Sequence, residues 1–67
     1  MSVVGRYCRL LRPIRNHAGR LRFRETPLIL REVRNLERVM YLVQFDDRST
    51  TFLFAEEIEI LMVRDAR

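Results

Sequence analysis

The chain has no lysine and no tryptophan, one cysteine, one histidine, and only two glycines and two prolines in 67 residues. Each shortage closes a class of explanation. With Cys8 alone there is no intramolecular disulfide and no cysteine-built zinc site, and a reduced, cytoplasmic setting is expected. His17 has no companion histidine, so a metal site at that point would need ligands from another chain. Gly5 and Gly19 are too few and too far apart to form a phosphate-cradling loop of the known types. No apolar run reaches the ~18–20 residues of a membrane span, and the opening segment is short and soon charged, unlike a secretory signal. Internal repeats, linkers and low-complexity stretches are absent too.

What is present is arginine. All thirteen basic residues are Arg, set against nine acids for a net charge of +4. Their distribution says more than their number. Residues 1–24 hold seven Arg and no acid, and residues 25–67 hold six Arg and every acid. Guanidinium groups suit planar, two-pronged contacts to carboxylate or phosphate. An apolar share of 48% is ordinary for a globular chain, so residues 1–67 are read as one small domain near the lower limit for an unassisted core.

The most strongly patterned stretch is 38–54. Val39, Tyr41, Val43 and Phe45 fall on one side of an extended chain, with Met40, Leu42 and Gln44 on the other. Asp46, Asp47, Arg48 and Ser49 then supply turn chemistry, without the glycine at position 48 that such a hairpin favours. Thr50 to Phe54 follows as a second strand. Upstream, residues 5–12 predict a first strand with Cys8 and Leu10 inward, ended by Pro13, and residues 13–19 predict a loop. Residues 20–24 alternate cleanly, which predicts a half-buried strand with Leu21 and Phe23 inside and Arg20, Arg22 and Arg24 on its wet side. Residues 27–36 read as a strand, with a helix over 27–41 (an α+β fold) as the alternative, because Thr26-Pro27 also fits a helix start. Residues 55–57 predict a single 3₁₀ turn. A last strand follows, with Ile58 and Ile60 inward. About five short strands with polar turns fit an all-β barrel, which also removes exposed sheet edges. Tyr7, Tyr41, Phe45, Phe52 and Phe54 are expected mostly in its core.

The order of strand, long loop, strand, strand, hairpin, single turn and last strand resembles the SH3-like small barrels. Residues 8–13 (Cys-Arg-Leu-Leu-Arg-Pro), 41–45 (Tyr-Leu-Val-Gln-Phe) and the segment from Thr51-Phe52 to Glu57-Ile58 are similar to a group of electron-transport accessory barrels. That group includes the small E subunit of photosystem I and the ferredoxin-docking S subunit of the photosynthetic NAD(P)H dehydrogenase-like complex. The chain departs from the photosystem subunit in having no aromatic at 14–18. The resemblance implies a non-enzymatic accessory module that docks an acidic protein, such as a ferredoxin, or the body of a larger complex.

The residues themselves carry no catalytic constellation. Cys8 has no positioned base in view, and Glu56, Glu57 and Glu59 form an acidic group without other ligand types, read as a solvated turn. No catalytic, cofactor-binding or metal residue is assigned, and an enzyme is not expected. The candidate binding residues are Arg12, Arg15, His17, Arg20, Arg22 and Arg24, whose field would steer an acidic partner protein. The same residues could take nucleic-acid phosphate. The expectation that Phe23 lies inside leaves no exposed aromatic beside them for base stacking. A third reading is self-association, with the Arg face of one copy meeting the Glu56–Glu59 end of another.

Overall fold

The computed structural model of the chain describes residues 2–15 and 18–64. Its strands are β1 (Arg6–Leu10), β2 (Ile14–Arg15), β3 (Leu21–Arg22), β4 (Leu28–Asn35), β5 (Arg38–Gln44), β6 (Thr50–Phe54) and β7 (Ile58–Arg64). A 3₁₀ turn, Ala55–Glu57, joins β6 to β7. Five strands form one antiparallel sheet in the order β6-β5-β4-β1-β7, and β2 pairs with β3 as a separate two-stranded arm. The protein is all-β, and the arrangement is compatible with a small barrel-like fold. The alternative helix over 27–41 is replaced by β4 and β5. Pro27, fully buried, sits just ahead of β4, where its carbonyl accepts from the Cys8 N–H at 2.9 Å.

Inward rows follow from the register. Thr51, Val43 and Ile29 lie side by side across β6, β5 and β4, and Leu53 lies beside Tyr41. On the other flank Cys8 faces Ile60 and Leu10 faces Ile58. The buried hydrophobic members of these rows, Cys8, Leu10, Ile29, Tyr41, Val43, Leu53 and Ile58, make the core with Ile14 and Phe45, and Val3, Val39 and Ile60 pack against it. Leu30 is the extra residue of a bulge in β4, since Ile29 pairs with Val43 but Arg31 with Leu42.

The scarcity of glycine shows in the backbone. Arg24, Leu36 and Arg48 all adopt the left-handed conformation, at φ 64°, 55° and 71°. Arg48 closes the β5–β6 hairpin. Its N–H donates to the Phe45 carbonyl, and the Phe45 N–H donates to the Ser49 carbonyl, both at 2.9 Å. This is a three-residue loop whose last position normally carries glycine. Asp47 stiffens the loop by accepting from the Ser49 N–H at 3.1 Å and the Ser49 hydroxyl at 2.6 Å. At the far end of β6, the Glu57 carboxylate reaches back to accept from the Phe54 N–H at 2.8 Å.

Two expectations about the sequence need correction. Residues 13–19 are not loop throughout, because Ile14 and Arg15 pair with Arg22 and Leu21. Phe52 is not core: it points from the outer face of the sheet and is 52% exposed, whereas Tyr41 and Phe45 are buried as expected. Phe52 pairs with Leu42, and both lie on the sheet surface opposite the buried Leu53 and Tyr41.

Candidate functional site

The arm built from β2 and β3 carries the candidate arginines, and its register sets which of them face out. Ile14 pairs with Arg22, and Arg15 with Leu21. Paired residues share a face. Ile14 is a core residue, so Arg22 goes inward with it, and Arg15 and Leu21 go outward together. The alternation predicted for residues 20–24 is therefore real but opposite in phase. Leu21 is 57% exposed and Phe23 46%, while Arg22 is only 6% exposed.

Burying a guanidinium is costly unless its donors are satisfied, and the terminal nitrogens of Arg22 are satisfied by the protein's own groups. It forms an ion pair with Asp47 and donates to Glu25 Oε1 at 2.8 Å and to Ser49 Oγ at 3.2 Å. Its Nε is buried with no hydrogen-bond partner. The guanidinium also lies over the Phe45 ring, 4.5 Å from the centroid. Hydrogen bonds from Ser49 and then Arg22 hold the Asp47 carboxyl well below the usual carboxylate range. The same Asp47 contact, opposed by burial, leads the causes that raise the pKa of Arg22. Arg22 is thus a latch between the arm and the β5–β6 turn, not a member of a wet cationic face.

The other candidates divide. Arg12 is exposed and donates to Glu57 Oε2 at 3.1 Å. Arg15 is exposed and donates to the Gly19 carbonyl at 2.8 Å, which braces the arm's own turn. Arg20 and Arg24 are exposed. Arg24 makes no side-chain hydrogen bond or ion pair among the described residues. His17 lies outside the described residues. The arm therefore presents Arg15, Arg20 and Arg24 beside Leu21 and Phe23, with Leu11 exposed at its base. Sequence reasoning missed the apolar half of this surface. Its only local hint was Glu25, three residues after Arg22.

The acidic group is not simply solvated. Glu56 pairs with Arg38 at 2.8 Å, Glu57 with Arg12, and Glu59 with Arg9. Arg38 also stacks on Phe54 at 3.8 Å. A hydrogen bond from its own backbone N–H, followed by Arg38, lowers the Glu56 carboxyl. These carboxylates already hold arginines of the same chain, which weakens any head-to-tail contact that relies on them.

Elsewhere, Cys8 is fully buried, and burial pushes its thiol up to about 11. An open cleft is lined by Tyr7, Leu28, Gln44, Phe45, Asp46 and Arg48. Among the described residues no three His, Cys, Asp or Glu side chains gather as a metal site, and no helix is long and apolar enough to cross a membrane. Compared with protein-family models, with characterised proteins and with solved structures, the chain matches none.

Proposed function

We propose that the chain is a non-enzymatic docking module whose β2–β3 arm engages an acidic partner protein, alone or within a larger complex. The observation that supports this is the exposure of Leu21 and Phe23 on the arm beside Arg15, Arg20 and Arg24. Guanidiniums supply steering and orientation. An aromatic and an aliphatic side chain next to them supply the apolar contact that charge alone lacks, and aromatic and Arg residues are enriched at protein interfaces. Arg22 enters this reading as the residue that holds the arm in place.

The test uses the immobilised chain, an extract of its source cells and mass spectrometry of what is retained. Two variants are compared with the wild type: Arg15→Ser/Arg20→Ser/Arg24→Ser, and Leu21→Ser/Phe23→Ser. An acidic protein retained by the wild type and lost from both variants is the expected result. An unchanged retained set in both variants rejects the reading.

Single-stranded RNA is the second reading, favoured by the exposed Phe23 next to Arg24, because an aromatic beside cations is a base-stacking platform. Titration of labelled RNA at several salt concentrations separates the two. Three or four neutralised phosphates give a log–log salt slope of about −2 to −3. Leu11 and Leu21 favour the protein reading, since aliphatic side chains add little to base stacking.

A further inference from the structure

The sheet has two edge strands, β6 and β7, and they are treated differently. β7 carries Glu59 and shifts register against β1 between Arg6 and Cys8. Charge and irregularity of this kind blunt an edge. β6, Thr-Thr-Phe-Leu-Phe, has no charge, no proline and no bulge, and it pairs with β5 in unbroken register from Thr50–Gln44 to Phe54–Met40.

The backbone direction of β6 follows from its two ends. Ser49 turns its carbonyl to β5, where it accepts from Phe45. In an antiparallel ladder the backbone groups of alternate residues face the same neighbour, so Thr51 and Leu53 also face β5, and Thr50, Phe52 and Phe54 face the open edge. The Phe54 N–H agrees: it is taken by the Glu57 carboxylate and not by β5. The open edge thus offers the N–H and C=O of Thr50 and Phe52 and the C=O of Phe54.

We propose that β6 pairs antiparallel with β6 of a second copy of this chain, about a two-fold axis at Phe52. The edge is complementary to itself in this register. Phe52 exchanges both its backbone bonds with Phe52 of the second copy, and the Thr50 N–H donates to the Phe54 carbonyl of the second copy, once on each side of the axis. The Phe54 N–H, held by Glu57 in one chain, passes to the Thr50 carbonyl of the second copy, and Glu57 stays on Arg12. The two Phe52 rings become cross-strand neighbours on the outer face, covering side chains that are half exposed in one chain. No like charges oppose one another along the strand.

A five-residue edge falls in the small class of interfaces, so the dimer forms with a Kd on the order of 10–100 µM. Sedimentation velocity on the full chain over a concentration series, with amide hydrogen exchange on the same samples, tests this. The expected result is a shift from monomer to dimer, with the Phe52 and Thr50 amides gaining protection as concentration rises. Phe52→Lys and Thr50→Pro raise the Kd more than about tenfold. The proline removes only a donor that faces away from β5. Leu21→Ser/Phe23→Ser on the arm leaves dimerisation unchanged. Three results overturn the proposal: a monomer at every concentration up to about 1 mM, a dimer that survives in both edge variants, or Phe52 exchange that ignores concentration. The exchange measurement needs no variant, so a misfolded substitution does not blunt the test.

Discussion

The guanidinium of Arg22 sits 4.5 Å from the centroid of the Phe45 ring, with Asp47 and Ser49 of the following turn on its NH2 group. One side chain on the two-residue strand β3 thereby fixes the arm to the β5–β6 turn, where Ser49 lies 27 residues later. It also decides the outward face of the arm, because turning Arg22 in turns Leu21 and Phe23 out.

Removing the latch should free the arm without dissolving the barrel. Asp47 and Glu25 are partly exposed (44% and 34%), so they rehydrate when Arg22 is gone and do not stay buried unpaired. Arg22→Met keeps a long side chain over Phe45; Arg22→Ser uncovers the ring. Both variants are expected to speed amide exchange in residues 18–25, and Arg22→Ser is expected to lower the melting temperature more. Exchange in β5 should stay near wild type in Arg22→Met. Equal arm protection in Arg22→Met and wild type would show that the arm is held by something else.

The same contacts set a pH dependence. The Asp47 carboxyl is depressed in the folded chain below its ordinary 3.8, so between the two values the unfolded chain binds the proton more tightly. This stabilisation is fully present above about pH 4–5 and is lost as pH falls through the folded value. Thermal melts from pH 7 to pH 2 should show stability falling below pH 4. In Asp47→Asn that part of the slope is reduced, although stability at pH 7 is lower. Identical slopes in the two proteins would remove Asp47 from the account.

The hairpin from 38 to 54 could be read directly because alternation persists over a whole strand and only one phase buries Tyr41, Val43 and Phe45. Cys8, Leu10 and Ile58 were legible for the same reason, and the 3₁₀ turn followed from the short Ala-Glu-Glu segment between two strands. The arm was not legible. A strand of two residues cannot average out one exception, and leucine and phenylalanine beside arginine would ordinarily face inward. What reverses them is a polar network closed by Asp47 and Ser49, distant in sequence, and nothing near residue 22 except Glu25 announces it. A one-residue change of phase moves every side chain to the other face, so this single contact rewrote the candidate surface.

Cys8 offers a probe of opening. It is fully buried, and with its thiol pushed up to about 11 by burial, the reactive thiolate is scarce at pH 8. Alkylation by iodoacetamide in native buffer at pH 8 should be far slower than in denaturant, and its rate should track global unfolding because β1 lies between β4 and β7. Rapid modification of the native protein would mean that β1 opens on its own.

Glycine scarcity leaves stability to be gained at two turns. Leu36 is 99% exposed and Arg48 makes no ion pair among the described residues, yet both hold left-handed backbone conformations that cost a side-chain-bearing residue about 1–2 kcal/mol. Part of that gain is offset because glycine is freer in the unfolded chain. Leu36→Gly and Arg48→Gly should therefore each stabilise by about 0.5–1 kcal/mol, visible as a rise in melting temperature of about 2–8 °C. The reverse substitutions supply the control. Gly5 and Gly19 have φ of 91° and 82°, and an added Cβ at either would meet no atom within 4 Å. Gly5→Ala and Gly19→Ala should nevertheless destabilise by about 1 kcal/mol, through backbone strain with no steric clash. Opposite signs for the two pairs would show that the sign of φ, more than any lost or gained contact, governs stability at these turns. Four effects of one sign would refute it.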